Sequence, residues 1–261
     1  MGILNVTPDS FSDGGKYFKI EDAVKKAEEY VKLGAEIIDV GGESTRPGAS
    51  KVSASEEIDR VIPVIEAIAN KFENIVLSVD TTKSEVTREA VKAGVHIIND
   101  ISGGTFDEKI LNVVAEKNIP YVLMHIKGTP ENMQSNPYYT NVIEEVLNYF
   151  EERIKAAKSK GVNKIILDPG IGFGKRVEDN YCIIKNLYKF NKWNYPLLMG
   201  LSRKSFLGKS LGSNVLDRDN ATIIAETISV LNGAKIVRTH NVKNAVELKK
   251  IMIELNKIKD A

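Results

Sequence analysis

KLGAEIID at 32–39, KAGVHIIND at 92–100, SKGVNKIILD at 159–168 and LNGAKIVRTH at 231–240 repeat one device: the end of a helix, a glycine, then a short apolar strand. Glycine just past a helix allows the left-handed backbone that stops it. Working outward from these four stretches, four more apolar runs complete the set. The sequence predicts strands over Gly2–Val6, Glu36–Val40, Ile75–Asp80, His96–Asp100, Tyr121–His125, Lys164–Asp168, Leu197–Leu201 and Lys235–Thr239. Each run is continuously apolar rather than alternating, which suits strands covered on both faces. Between them, amphipathic stretches predict helices over Ile20–Leu33, Ser55–Lys71, Lys83–Ala93, Asp107–Lys117, Asn141–Lys160, Glu178–Lys189, Asn220–Asn232 and Val242–Lys257.

Strands alternating with helices in this way predict an α/β chain closed into a (β/α)8 TIM barrel. The 261 residues form one domain, 1–261, near the ~250 residues usual for that fold. An open doubly wound sheet is the competitor, but no G-x-G-x-x-G follows any strand and the repeated units fill the chain. Met1 falls at the first strand, which begins abruptly and leaves the barrel bottom without residues to plug it.

Lys plus Arg is 36 and Asp plus Glu is 35, so the net charge is +1. That balance gives no reason to expect nucleic acid or an anionic membrane as partner. The single cysteine, Cys182, excludes an internal disulfide or a zinc cluster and is expected to be buried and inert. No apolar run nears the ~18 residues that span a bilayer. The start shows no signal peptide, so a cytoplasmic protein is expected.

In such a barrel the chemistry belongs at the carboxyl ends of the strands. Asn5, Asp39, Asp80, Asn99, Asp100, His125 and Asp168 fall there, with GLSRKS after strand seven and RTH ending strand eight. Arg238 and His240 are two apart and should point the same way, forming with Arg46 an anion clamp. For Arg203 a helix-packing or surface ion pair is expected instead. Asp80, Asn99 and Asp168 converge on one mouth and suit a flat heterocycle with donors and acceptors on its edge. Asn5 is a weak neutral ligand that suits Mg2+. Lys204 follows a strand rather than lying in one, which argues against a Schiff base. His125 has no partner at metal-ligand spacing and reads as a packed histidine. GIGFGK at 170–175 lacks the P-loop spacing; its glycines let backbone approach a flat ligand, and Phe173 offers a ring to stack on.

NVTPDSFSDGG at 5–15, GGESTRPGA at 41–49, SVDT at 78–81, INDISGG at 98–104, LDPGIGFGK at 167–175, GLSRKSFLG at 200–208 and VRTH at 237–240 resemble the dihydropteroate synthase family. The motifs span the chain in order. The resemblance implies a (β/α)8 enzyme joining 6-hydroxymethyl-7,8-dihydropterin diphosphate to para-aminobenzoate, releasing diphosphate, in folate synthesis. It also implies a sulfonamide target with Mg2+ as cofactor, and a homodimer through the helices after strands six to eight.

Carried over by position, Asn5 resembles the Mg2+ ligand beside the diphosphate. Arg46, Arg238 and His240 resemble the diphosphate-binding groups. Asp80, Asn99, Asp168 and Lys204 resemble the pterin readers, with Met124 and Gly200 lining the slot. Thr45, Pro47, Phe173, Lys204 and Ser205 resemble the aminobenzoate pocket. Asp80, Lys204, Arg238 and His240 are thereby the expected catalytic residues. The chain departs from the family in lacking residues before the first strand, and in Lys127, Thr239 and Asn241.

The implied reaction displaces diphosphate from a methylene carbon whose cation delocalises into the pterin. It needs stabilised leaving charge, a held cation and exclusion of water by Gly-rich loops 1 and 2, but no general base. Two rivals share the pterin readers: a methyltetrahydrofolate:corrinoid methyltransferase and a non-catalytic pterin-binding protein. The methyltransferase has no use for the diphosphate clamp, and a diphosphate release assay separates all three.

Overall fold

Strand β1 (Gly2–Asn5) opens a parallel sheet whose order β1 to β8 follows the chain. In the computed structural model, residues 1–7, 16–45, 51–212 and 218–258 are described, with backbone only for 16–19. The remaining strands are β2 (Ile37–Gly41), β3 (Val76–Asp80), β4 (Ile97–Asp100), β5 (Tyr121–Met124), β6 (Ile165–Asp168), β7 (Leu197–Met199) and β8 (Ala234–Val237). All eight expected strands are present, each shortened or shifted by a residue or two. The helices are α1 (Lys16–Leu33), α2 (Ala54–Lys71), α3 (Ser84–Lys92), α4 (Lys109–Lys117), α5 (Val142–Ser159), α6 (Val177–Lys185), α7 (Ser205–Leu211), α8 (Asp219–Leu231) and α9 (Val242–Lys257). α7 was not expected. It is one short helix between glycines, below the window in which helical period shows.

The sheet closes on itself. Gly2 bridges Thr239, with Ile3 N–H donating to Thr239 O and Thr239 N–H to Met1 O, each at 3.0 Å. Strand residues then alternate between two environments. Ile38, Leu77, Ile98, Leu123, Leu167 and Met199 face outward and pack against the helices. Ile97, Val122, Ile166 and Leu198 face inward, with Ile37, Val76, Ile236 and Met1 around them, and fill the bottom of the barrel. Met1 thus takes part in the bottom layer that the sequence left without a plug. A barrel interior is a packed core, not a pore, and an apolar bottom layer forces ligands to the other end.

Capping fixes the helices that frame the mouth. Ser53 caps α2 by accepting from Glu56 N–H, and Asn141 caps α5 by accepting from Glu144 N–H. Each such cap is worth about 1 kcal/mol.

Candidate active site

Above the apolar layer the same inward positions turn polar. Register sets Ile3, Asp39, Ser78 and Ile97 side by side across β1 to β4, and Asn5, Gly41, Asp80 and Asn99 one step higher. Met124 pairs with Asp168 across β5 and β6. A side chain on Gly41 would stand 3.5 Å from both Asn5 Oδ1 and Asp80 Cβ, so the glycine keeps those two groups adjacent.

Asp39, fully buried, is the hub. Its Oδ1 accepts from Ser78 Oγ at 2.5 Å; its Oδ2 accepts from Asn99 Nδ2 at 2.9 Å and from Arg238 Nε at 2.6 Å. Arg238 Nη2 donates to Asp80 Oδ2 at 2.7 Å. Asn99 thus turns its amide nitrogen to Asp39. Burial pushes Asp80 up to about 7, against the pull of Arg238. Two carboxylates around one guanidinium tolerate burial because each charge is hydrogen-bonded as well as paired.

On the far side, burial also raises the Asp168 carboxyl, with Lys204 and the Gly170 N–H opposing it. Gly170 N–H donates to Asp168 Oδ1 at 2.7 Å. Lys204, half-buried at the start of α7, bonds Ile171 O and lies 4.5 Å from the Phe173 ring centre. Burial brings its ammonium down to about 8, with Asp168 working the other way. Met124 belongs to an apolar patch with Ile101, Ile126, Met133 and Phe173. A methyl added to Gly200 would meet nothing within 4 Å, so there is open room at that strand end.

The structure brings Asn5, Asp80 and Asn99 into one row, with Arg238 and Asp39 tied to it, and sets Lys204 against Phe173. Arg238 and His240, the expected anion donors, have different partners. Arg238 turns to Asp39 and Asp80, whereas His240 Nδ1 meets Ser202 Oγ at 3.0 Å. Buried acids outcompete solvent for a guanidinium that must sit inside a barrel. Ser205 is the exposed first residue of α7. Thr45 lines a cavity of about 400 Å³ with Asp80, Thr81, Ile101 and Phe106, whereas Phe173, Lys204 and Ser205 are not on its wall. Arg46 and Pro47 lie outside the described residues, as do 8–15 of loop 1. Arg203 forms the expected ion pair, with Asp219 at 2.8 Å. Cys182 is free and half-buried.

Asp39, named among the strand-end residues, lies one step below Gly41, facing inward with it and Ile37; its place as hub was not anticipated. One lining position escaped the sequence reading. Ile101, just past β4, carries no chemical signature and shows itself only by packing on Met124. Asp100, named beside Asn99, faces the other way. It accepts from Ser102 N–H and Oγ, Gly104 N–H and Tyr121 OH, and holds its loop.

A family model described as pterin binding enzyme matches residues 1–240. The dihydropteroate synthase of Escherichia coli (strain K12) is 48% identical over 254 residues, covering 97% of this chain and 89% of the relative. A Yersinia pestis dihydropteroate synthase crystal structure with a sulfonamide drug complex superposes with a TM-score of 0.93 at 42% identity, covering 99% of this chain and 94% of the other. The Xanthomonas albilineans enzyme in complex with 7,8-dihydropteroate gives 0.89 at 37% identity, covering 99% and 94%. A pterin binding enzyme would also describe the corrinoid methyltransferase alternative; 48% identity over almost the whole chain separates the two. By fold, buried polar row and near full-length identity, the chain belongs to the dihydropteroate synthase family of transferases.

Proposed function

We propose that this chain condenses 6-hydroxymethyl-7,8-dihydropterin diphosphate with para-aminobenzoate to give 7,8-dihydropteroate and diphosphate. The observation that carries the reading is the buried row of Asp39, Asp80, Asn99 and Asp168 with Arg238 and Lys204 at the carboxyl ends of the strands. Asp80, Asn99 and Asp168 supply acceptors for the N–H edge of a pterin. Met124 and the open room at Gly200 suit its flat ring, and Lys204 stands between that ring and Phe173, where the aminobenzoate would stack. The C–O bond to diphosphate breaks with its electron pair on the leaving oxygen. The aniline nitrogen then attacks the methylene carbon and sheds a proton to solvent. Asp80 and Asp168 stabilise the pterin cation formed between these events.

The charges in the mouth bear on the leaving group. Asp39, Asp80 and Asp168 stand around Arg238 and Lys204, so further positive charge strengthens the hold on a diphosphate. The diphosphate is assigned to Arg46, Arg238 and His240, with Mg2+ at Asn5. Among the described residues no three of His, Cys, Asp or Glu gather as a metal cage. Asn5 beside Asp80 fits Mg2+ nonetheless, because that ion takes hard oxygen donors, keeps its waters and draws its charge partners from substrate phosphate. Mg2+ would neutralise the charge that grows on the departing diphosphate.

The same reading extends to assembly and place. Ile224, Ile228 and Leu231 make an exposed apolar stripe along α8, 61, 43 and 64% accessible, with Tyr181, Tyr188 and Leu211 also exposed. Such a stripe supports a homodimer through α6 to α8. No helix among the described residues is long and apolar enough to cross a membrane.

Diphosphate release, followed with both substrates and with each alone, tests the activity. Release that needs both substrates and Mg2+ is expected. Release without aminobenzoate, or none at all, overturns it.

A further inference from the structure

Residues 170–175, GIGFGK, do more than approach a ligand. Gly170 and Gly174 have φ of +68° and +62°, and a side chain on either would strike the carbonyl oxygen of His125 or Lys127, at 1.9 and 2.3 Å. The loop is pressed flat on the extension of β5. Its carbonyls curl back toward one point, and that point is filled by Lys175. Lys175 is 4% exposed. Its Nζ donates to Gly170 O at 2.8 Å and Phe173 O at 3.1 Å, and meets His125 Nδ1 at 2.8 Å.

We propose that Lys175, seated on His125, is a positioning residue for the condensation, holding the 170–174 loop so that Asp168 and Phe173 face the two substrates. The proposal rests on the synthase reading. The chain of contacts is short. Gly170, whose carbonyl Lys175 holds, gives its N–H to Asp168 Oδ1 at 2.7 Å. Phe173, whose carbonyl Lys175 also holds, lies under the Lys204 ammonium. Lys204 in turn bonds Ile171 O of the same loop. Lys175 therefore touches neither substrate, yet one amine fixes the backbone on both sides of the residue that separates them.

The buried chemistry agrees. Burial holds the Lys175 amine well below its ordinary range and the His125 imidazole well below its own. The amine has polar partners on every side: Gly170 O, Phe173 O, His125 O at 3.5 Å and His125 Nδ1. His125 is itself held by the edge of Tyr149, ring centres 4.8 Å apart. A histidine and a lysine that the reaction does not use thus have a shared task.

Lys175→Met keeps length and removes every donor. Amide exchange of the protein without substrates reads the loop directly: at least tenfold faster exchange at Gly170, Gly172 and Phe173 is expected, with strand amides unchanged. In the release assay, KM for aminobenzoate should rise at least tenfold, with kcat falling less. Lys175→Gln, which keeps a donor for one carbonyl, should lie between and serves alone if the methionine variant does not fold. Wild-type exchange and KM overturn the proposal, as does faster exchange spread evenly over the barrel with KM unchanged, the mark of a merely structural lysine. If the wild type releases no diphosphate, the synthase reading fails, while the exchange experiment still judges the part of Lys175 in the loop.

Discussion

Asp39 and Arg238 lie 199 residues apart in the chain and 2.6 Å apart in the barrel, Nε donating to Oδ2. Asp39 is fully buried, so its charge depends on that bond and on Ser78 and Asn99. Removing one partner of a buried pair costs about 3–5 kcal/mol, because the other charge stays behind. Arg238→Met should lose about that much stability at pH 8. The sign with pH follows from Asp80, already near 7 with the guanidinium present. Without it the folded carboxyl holds its proton to higher pH while the unfolded one releases it near 4, so the deficit grows as pH rises. Urea denaturation at pH 5 and pH 8 measures this, and an equal deficit at both contradicts it. Arg238→Lys should recover part of the stability and little turnover, since one ammonium cannot reproduce two directed bonds to two acids.

Asp168→Asn should weaken pterin binding by about tenfold to a hundredfold, the worth of a charge-assisted hydrogen bond at roughly 1.5–3 kcal/mol. The amide can still accept from Gly170 N–H, and then its NH2 faces the N–H edge of the ring. Calorimetry with a pterin ligand gives the answer; unchanged affinity removes Asp168 from the ring site.

Pterin affinity should follow a bell in pH. Asp80 is the better acceptor once ionised, above about 7, and Lys204 keeps its charge below about 8. Affinity then rises through the first value and falls through the second. Fluorescence titration from pH 5.5 to 9.5 follows both limbs. Asp80→Asn should flatten the acid limb alone, and persistence of that limb assigns it elsewhere.

Glu226, 1% exposed on α8, has an Oε1 without a hydrogen-bond partner, and burial pushes its carboxyl up to about 8. Its hydrogen bond to Thr239 works against that rise. A raised value in the folded state means stability present at low pH and lost between about 4.5 and 8. Glu226→Gln should raise the melting temperature at pH 8 by roughly 10 °C, given about 1.4 kcal/mol per pKa unit and 2–4 °C per kcal/mol at this size. Below pH 4.5 the two proteins should melt together. A variant that melts lower at pH 8 places the charged carboxylate in a favourable pair.

These residues also show what the sequence could display. The helix–glycine–strand repeat fixes strand number and order because burial on both faces demands unbroken apolar runs, and polar residues ending such runs, Asp80, Asn99 and Asp168, stand out against them. Asp39 is visible too, but its bonds to Ser78, Asn99 and Arg238 depend on three other strands and leave no local mark. Arg238 is visible as a cation, but its partners are set by closure of the sheet, which no local pattern encodes. Lys175 reads as the tail of a glycine-rich loop until His125, 50 residues earlier, is found beneath it. Glu226 sits among apolar neighbours on a helix and carries no mark that it faces the barrel.

The Gly2–Thr239 seam has a consequence for how the molecule comes into being. The strands it joins are the first and last of the sheet, and entropy charges most for contacts between distant segments. On a ribosome, β1 to β7 can pair in order as they emerge, yet the two edges stay exposed until residues 238–239 are out. Arg238 arrives with that final segment, so the counter-charge for Asp39 and Asp80 is delivered by the step that seals the cylinder. Assembly of the mouth and completion of the wall are one kinetic event, and a chain stopped a few residues short has neither.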